Sequence, residues 1–228
     1  MTPKIAKEIL DKIVGQVFGY KNPYTLEQFM QKFAFDVRLP SQVADSTTGE
    51  PTWAQSVNPT KFVKLQHALK NDWVAPEQSL KSVEDILQAW SHVNYTATER
   101  DIDSLNVAES DSIYRSENVY RSLDVIRSKN VLFSDGAWDC EFVAANQRSN
   151  TSNYCIRLED SKECTGSFTV SWSGKIVNSF FIHDCFDMYE CMFCSHVSSK
   201  RFCIANRQFE EAEYYKLKDM IIRWVLTG

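Results

Sequence analysis

The residues best suited to chemistry lie late in the chain: His183, Cys185, Cys191, Cys194, His196 and Cys203. Thiolate and imidazole are the usual ligands of structural zinc, and Cys191 and Cys194 form a CxxC pair. On that reading Cys185, Cys191, Cys194 and Cys203 would hold one ion. The competing reading is simpler. Cys140, Cys155 and Cys164 share the same spacing with no companion ligand nearby, so cysteine here is a favoured small core residue. The second reading is preferred, and neither metal nor cofactor is expected. Cys185 and Cys191 sit six apart, within bonding reach across a turn of chain, but a reduced pair is the default.

Other chemistry finds less support. Asp184, Asp187 and Glu190 supply carboxylates for hydrolysis, yet no spacing singles out an acid–base pair. There is no phosphate loop, no HExxH and no GxSxG. Arg115, Arg121 and Arg127 form a short basic series, with Arg115 and Arg127 expected on one face and Arg121 opposite. Glu109, Glu117 and Asp124 are near enough in sequence to make this a solvated, paired surface. No catalytic residues are expected.

What would position all these groups is a repeat. Ser104, Ser110, Ser116, Ser122, Ser128 and Ser134 are six apart, and Val107, Ile113, Val119, Val125 and Val131 fall halfway between. Small or aliphatic residues then continue every third position to Val197, with a break at Lys200 and a return at Cys203. All seven cysteines lie on this lattice, an outcome that random placement gives roughly once in two thousand. A period of three fits neither a helix nor a plain strand. It fits a solenoid whose third side chains turn inward into a thin interior.

Column matching sets the coil length. Asn106, Asn118 and Asn130 repeat every twelve residues, as do Arg115 with Arg127 and Tyr114 with Ile126 and Trp138. Roughly eight coils of twelve follow; an eighteen-residue, three-sided coil aligns poorer columns. The geometry resembles the narrow β-helix of beetle antifreeze proteins, but flat Thr-x-Thr rows are missing and ice binding is not expected.

Three regions result. Residues 1–100 read as a helical and loop docking region. Ile5, Ile9, Ile13 and Val17 make one helix face, Thr25 to Gln28 a capping box, and Ser82 the cap of a helix carrying Val83, Ile86, Leu87 and Trp90. Residues 40–62, rich in Pro, Ser, Thr and Gly, read as a long loop or binding arm. Residues 101–207 are the parallel β-solenoid. Residues 208–228 read as an amphipathic helix, with Leu217, Ile221, Trp224 and Val225 as its stripe, lying over the last coils on Phe180, Phe181, Phe186, Tyr189 and Phe193. The N-terminal region would cover the other end. The fold class is thus α+β, a narrow parallel β-solenoid with helical caps.

The 228 residues carry a net charge of −5, which does not suggest a broad nucleic-acid surface. No apolar run is long enough to span a bilayer. The first twenty residues read as an amphipathic helix and not as a signal peptide, so thiols are expected to be made in a reducing compartment.

YECMFCSHVSSKRFCIANRQFEEAEY resembles the C-terminal signature of a protein group found in tailed bacteriophages and some uncultured bacteria with small genomes. FAFDVRLPSQVADSTTGEPTW and SENVYRSLDVIRSKNV resemble the same group, so the likeness covers essentially the whole chain. It carries no activity and no catalytic residues. It implies a phage-encoded or phage-like protein and favours a virion component. Together with the rigid rod and the missing catalytic constellation, it leads to the expectation of a non-enzymatic capsid decoration, neck or tail-associated protein. The expected partners are other particle subunits or further copies of this chain, and the missing apolar span gives no expectation of a membrane. An intracellular binding module, stabilised by zinc, is the alternative; a carbohydrate-active enzyme on a β-helix is a third.

Overall fold

A computed structural model describes residues 1–57 and 60–227. Strands from Asp101–Ile102 to Ser198–Ile204 wind into a parallel β-solenoid of about nine turns with about twelve residues per coil. Val107, Val119, Val131, Val143 and Cys155 stand in direct register, one per coil. This register settles the coil length against the eighteen-residue alternative.

The three-residue period has a backbone cause. The residue before each inward position is left-handed in nearly every coil, as at Asn106, Glu109, Ser112 and Arg115, with φ of 49–63°. Two extended residues and one left-handed residue turn every third side chain inward, where a plain strand would turn every second. A non-glycine residue pays roughly 1 kcal/mol for this conformation, and hydrogen bonds from the coils on both sides hold it in place. Val and Ile do not occur among these left-handed residues, and the only β-branched residues there are Thr151 and Thr169 among the described residues. Gly136 sits in this column where an added Cβ would meet the Arg148 backbone at 3.2 Å.

The inward lattice divides into two chemistries. Val119, Val125, Val131 and Ile113 fill strand centres and are fully buried. Ser110, Ser116, Ser122 and Ser128 occupy corners and are also buried, whereas Ser104 and Val107 in the first coil are half-buried. Each corner hydroxyl donates to the carbonyl two residues back and accepts the backbone N–H twelve residues on. Ser122 Oγ donates to Tyr120 at 2.9 Å and accepts from Ser134 at 3.1 Å. Serine therefore supplies the bonds that a tight corner cannot make with backbone alone. Midway, at Asn146, Ser149 and Ser152, the Ser–aliphatic alternation slips by one lattice step. Strands begin at 141 and 147 before it and at 168, 174 and 180 after it, yet coil register is unbroken from Leu158 to Val170.

The first two helices and the C-terminal helix do not close an end of the solenoid; they lie along its flank. One outward column, Tyr120, Leu132, Ala144, Ile156, Phe168, Phe180 and Met192, is entirely apolar and buried. Helix α1 (Pro3–Phe18), helix α2 (Leu26–Phe33) and the C-terminal helix pack on it and form a second core. Phe18 meets Phe168 and Phe180 at 5.1 and 5.7 Å between centroids, and Phe33 meets Phe168 at 5.6 Å. The N-terminal twenty residues are therefore committed to their own solenoid.

Residues 40–62 are not a simple loop. Ser41–Ala44 and Pro51–Ala54 form an antiparallel hairpin, and Lys61–Lys64 pairs in parallel with Tyr95–Thr98; positions 58 and 59 lie outside the described residues. Asp45 and Gly49 (φ 78°) make the turn. The hairpin is tied to the first coils through Gln55, which bonds the carboxylates of Asp111 and Asp124. Beyond it come the short helix α3 (Leu65–Ala68) and helix α4 (Val83–Val93).

The C-terminal helix, α5 (Glu211–Thr227), presents Tyr214, Ile222, Val225 and Leu226 to the flank. Of the expected stripe, Val225 is buried and Leu217 and Ile221 pack against the flank core, whereas Trp224 is 59% exposed. Of the aromatics expected beneath it, Phe180 and Phe181 pack there, while Phe186, Tyr189 and Phe193 stay exposed. The two ends of the solenoid differ. Arg207–Gln208 pairs antiparallel with the last coil, whereas Leu105–Ala108 in the first coil pairs, among the described residues, only with Glu117–Tyr120.

Candidate interaction surfaces

Helix α4 is built by a complete capping box: Ser82 Oγ accepts from Asp85 N at 3.1 Å, and the Asp85 carboxylate accepts from Ser82 N at 3.0 Å. Glu84 and Asp85 also suit the N-terminal dipole. Its apolar positions recur at helical spacing, as a core-facing helix requires. None of its residues is buried, however. Val83, Ile86, Leu87 and Trp90 are 51–66% exposed. In the following segment Ile102 and Leu105, on the open edge of the first coil, are 49% and 69% exposed. The chain thus presents a formed apolar helix face and an unpaired strand edge within one short stretch, a combination that solvent alone does not favour.

A second surface runs along one corner of the solenoid. Trp138, Asn150, Lys162, Gly174, Phe186 and Ser198 follow one another every twelve residues and line a concavity of about 960 Å3. Beside them runs the left-handed column Arg148, Asp160, Trp172, Asp184 and His196. Its members are fixed by neighbours one coil away. Arg148 clasps Asp160 through two bonds of 2.6 Å, which holds the Asp160 carboxyl below its usual range. His196 Nδ1 lies 2.8 Å from Asp184 Oδ2, and His183 packs between the rings of Trp172 and His196 at 5.1 and 5.6 Å.

The sequence-predicted ligands do not make a metal centre. Among the described residues no group of three or more His, Cys, Asp or Glu side chains is arranged to hold an ion. Cys185, Cys191, Cys194 and Cys203 are buried, unpaired thiols inside the coil, while His183 and His196 face outward. Cys185 and Cys191 are not joined. Six of the thiols, Cys203 being the exception, donate to the carbonyl two residues back, as serine does; Cys140 to Trp138 at 3.3 Å is typical. Cysteine thus stands in for serine at corners such as Cys140, Cys185 and Cys191, while Cys155 and Cys194 stand in register with the strand-centre residues Val143 and Ile182. Burial pushes Cys140, Cys155, Cys164 and Cys185 up, Cys155 far above its ordinary value and Cys164 to about 12, so these four stay protonated, whereas Cys194 is lowered, chiefly by its hydrogen bond with Cys191. At the last coils Cys191 and Cys203 are raised, Cys191 chiefly by its hydrogen bond with Cys194 and Cys203 chiefly by burial.

The other candidates are dispersed. Asp184, Asp187 and Glu190 lie in three different columns and take three different partners, His196, Ser199 and Lys218. Arg127 is clasped by Asp139 at 2.6–2.7 Å and Arg121 pairs with Glu109, leaving Arg115 exposed. The asparagine column is an amide ladder: Asn106 donates to Asn118 and Asn118 to Asn130 at 2.9 Å.

One pair escaped the sequence reading. Asp45 is completely buried and accepts bonds from Thr47 N at 2.7 Å and Lys64 N at 2.9 Å; His67 Nδ1 lies 2.8 Å away. Burial pushes its acid up, but these hydrogen bonds, led by that from the Thr47 hydroxyl, outweigh burial and hold Asp45 far below the usual carboxylate range. The Asp-Ser-Thr-Thr-Gly turn was the available signal. Its histidine partner is twenty-two residues away. The role is structural, a carboxylate that ties the hairpin turn to the Lys61–Lys64 strand.

No described helix is long and apolar enough to cross a membrane. No protein-family model, curated protein or solved structure matches this chain.

Proposed function

We propose that the chain is a non-enzymatic structural and interaction protein of a tailed-bacteriophage particle, as a capsid decoration, neck or tail-associated subunit. The observation that carries the interaction role is α4, whose four large apolar side chains point outward from a helix with a complete N-terminal capping box, shortly before an open strand edge in the sequence. Burying such a face contributes roughly 25 cal/mol per Å2, and a neighbouring protein subunit is the occupant that also pairs the free edge by strand addition. The phage setting is supported by the resemblance of the YECMFC and FAFDVRLP segments. The non-enzymatic reading is supported by the dispersal of Asp184, Asp187 and Glu190 onto separate partners.

Attachment through the first twenty residues is not part of this proposal. Phe18 and its neighbours are buried against Phe168 and Phe180, so deleting α1 is expected to damage the fold itself. The decisive experiment is quantitative mass spectrometry of purified particles of the encoding phage, made with the natural chain and with an Ile86→Asp/Trp90→Asp variant. The natural chain should be recovered in stoichiometry with a major structural protein, and the variant should fold but be lost from particles. Absence of the natural chain from particles, despite expression, would assign it instead to the infected cell.

A further inference from the structure

We propose that the corner groove is a binding site for a neutral, linear oligosaccharide. It runs parallel to the solenoid axis and no helix residue lines it. From Trp138 to Phe186 it crosses four coil steps, roughly 19 Å at the usual strand spacing. It is therefore a trough, suited to an extended chain and not to a compact small molecule.

Three aromatic rings stand along it. Trp172 is 59% exposed and Phe186 48%, and Trp138 is half-buried. None of the three belongs to the flank core or to the interior core. Trp172 is braced by His183 at 5.1 Å between ring centroids. Phe186 rests on Gly174, where an added Cβ would lie 3.4 Å from the ring, and Lys175 Nζ stands 5.2 Å from the Phe186 centroid. Trp172 and Phe186 are thus held in place while about half of each side chain stays exposed, so little side-chain entropy is lost when a ligand covers them.

The polar groups complete the argument. A pyranose presents an apolar C–H face and a rim of hydroxyls. The face packs on an aromatic ring, and the hydroxyls need fixed donors and acceptors beside it. Arg148 and Asp160 form a rigid bidentate pair, and Asp184 is oriented by His196. Both pairs are exposed enough to keep lone pairs and N–H groups free for a ligand. Lys162 adds a further donor. Two cations, Arg148 and Lys162, face two carboxylates, Asp160 and Asp184, so the groove carries no net charge from these groups. That balance disfavours polyanions, including nucleic acid and acidic glycans. Asp160, clasped by Arg148 through two bonds of 2.6 Å, offers its remaining lone pairs as acceptors for sugar hydroxyls.

The test is isothermal titration of the full chain with cellohexaose, maltohexaose and chitohexaose, with a heparin hexasaccharide as the charged control. At least one neutral hexasaccharide should bind at millimolar concentration or below, with little dependence on salt. Trp172→Ala and Trp138→Ala should each weaken it by about tenfold, with thermal unfolding unchanged. Lys12→Ala, on the flank beside Phe142, should leave binding intact. Absence of binding by all three neutral sugars, stronger and salt-sensitive binding of the heparin fragment, or full affinity in both tryptophan variants would overturn the proposal.

Discussion

The two cores of this protein are built in opposite ways. The interior core holds Val, Ile, Ser and Cys in single file, and its polar members bond backbone to backbone across coils. The flank core holds Phe, Tyr, Leu and Met, and its cohesion comes from ring and side-chain contacts between elements far apart in sequence. A coil of twelve residues leaves no room for large side chains, so the interior contributes little apolar area per residue and depends on satisfied hydrogen bonds. The flank supplies the area that the interior lacks. The amount of apolar burial and the precision of backbone geometry are thus assigned to different parts of one molecule.

Substitutions should separate the two. Phe168→Ala removes a ring that touches Phe18, Phe33, Phe180 and Phe181; urea unfolding should show a loss of about 3–5 kcal/mol. A loss below about 1 kcal/mol would mean that the flank is not the main source of stability.

Asp45 extends the interior's mode of bonding to the hairpin. Asp45→Asn should cost about 1.5–3 kcal/mol near neutral pH, since it weakens hydrogen bonds to a charged acceptor. The folded acid is depressed, so its stabilising contribution is complete above the unfolded value of about 3.9 and declines as pH falls from there toward the folded value. The difference between natural and variant urea midpoints should therefore shrink between about pH 7 and about pH 3. A difference independent of pH would show that the charge is not the cause.

Ser122→Ala leaves the Ser134 N–H buried without its acceptor and should cost about 1–3 kcal/mol, whereas Ser122→Cys should cost less than about 1 kcal/mol. Equal effects of the two would refute the interchangeability of the two residues at corners. The smallest effect expected is from Asn118→Ala, which breaks the half-exposed amide ladder and places alanine in a left-handed site. About 0.5–1 kcal/mol should be lost in thermal or urea unfolding.

Legibility followed the range of the interactions involved. The spacing of Ser104, Val107, Ser110 and Ile113 could be read directly, because an inward residue every third position follows from a repeating local backbone. The left-handed column was also legible, in the lack of Val and Ile there, but went unread. The apolar column from Tyr120 to Met192 is written in the sequence every twelve residues, yet of its members Phe180 alone is among the aromatics expected beneath the C-terminal helix. The corner groove was harder to see. Trp138 and Trp172 belong to different columns, and only the stacked coils bring them to one trough.

By itself the sequence determined the period of three, the coil of twelve, the contents of the interior and the existence of the principal helices, since each depends on a few neighbouring dihedrals or a cap. Tertiary structure alone decided that α1 and α5 lie on the flank, that residues 41–54 pair as a hairpin, and that the apolar face of α4 stays outward. In each case the competing arrangement satisfies the same local pattern. The outcome depended on which surfaces, tens of residues apart, could exclude water from each other most completely.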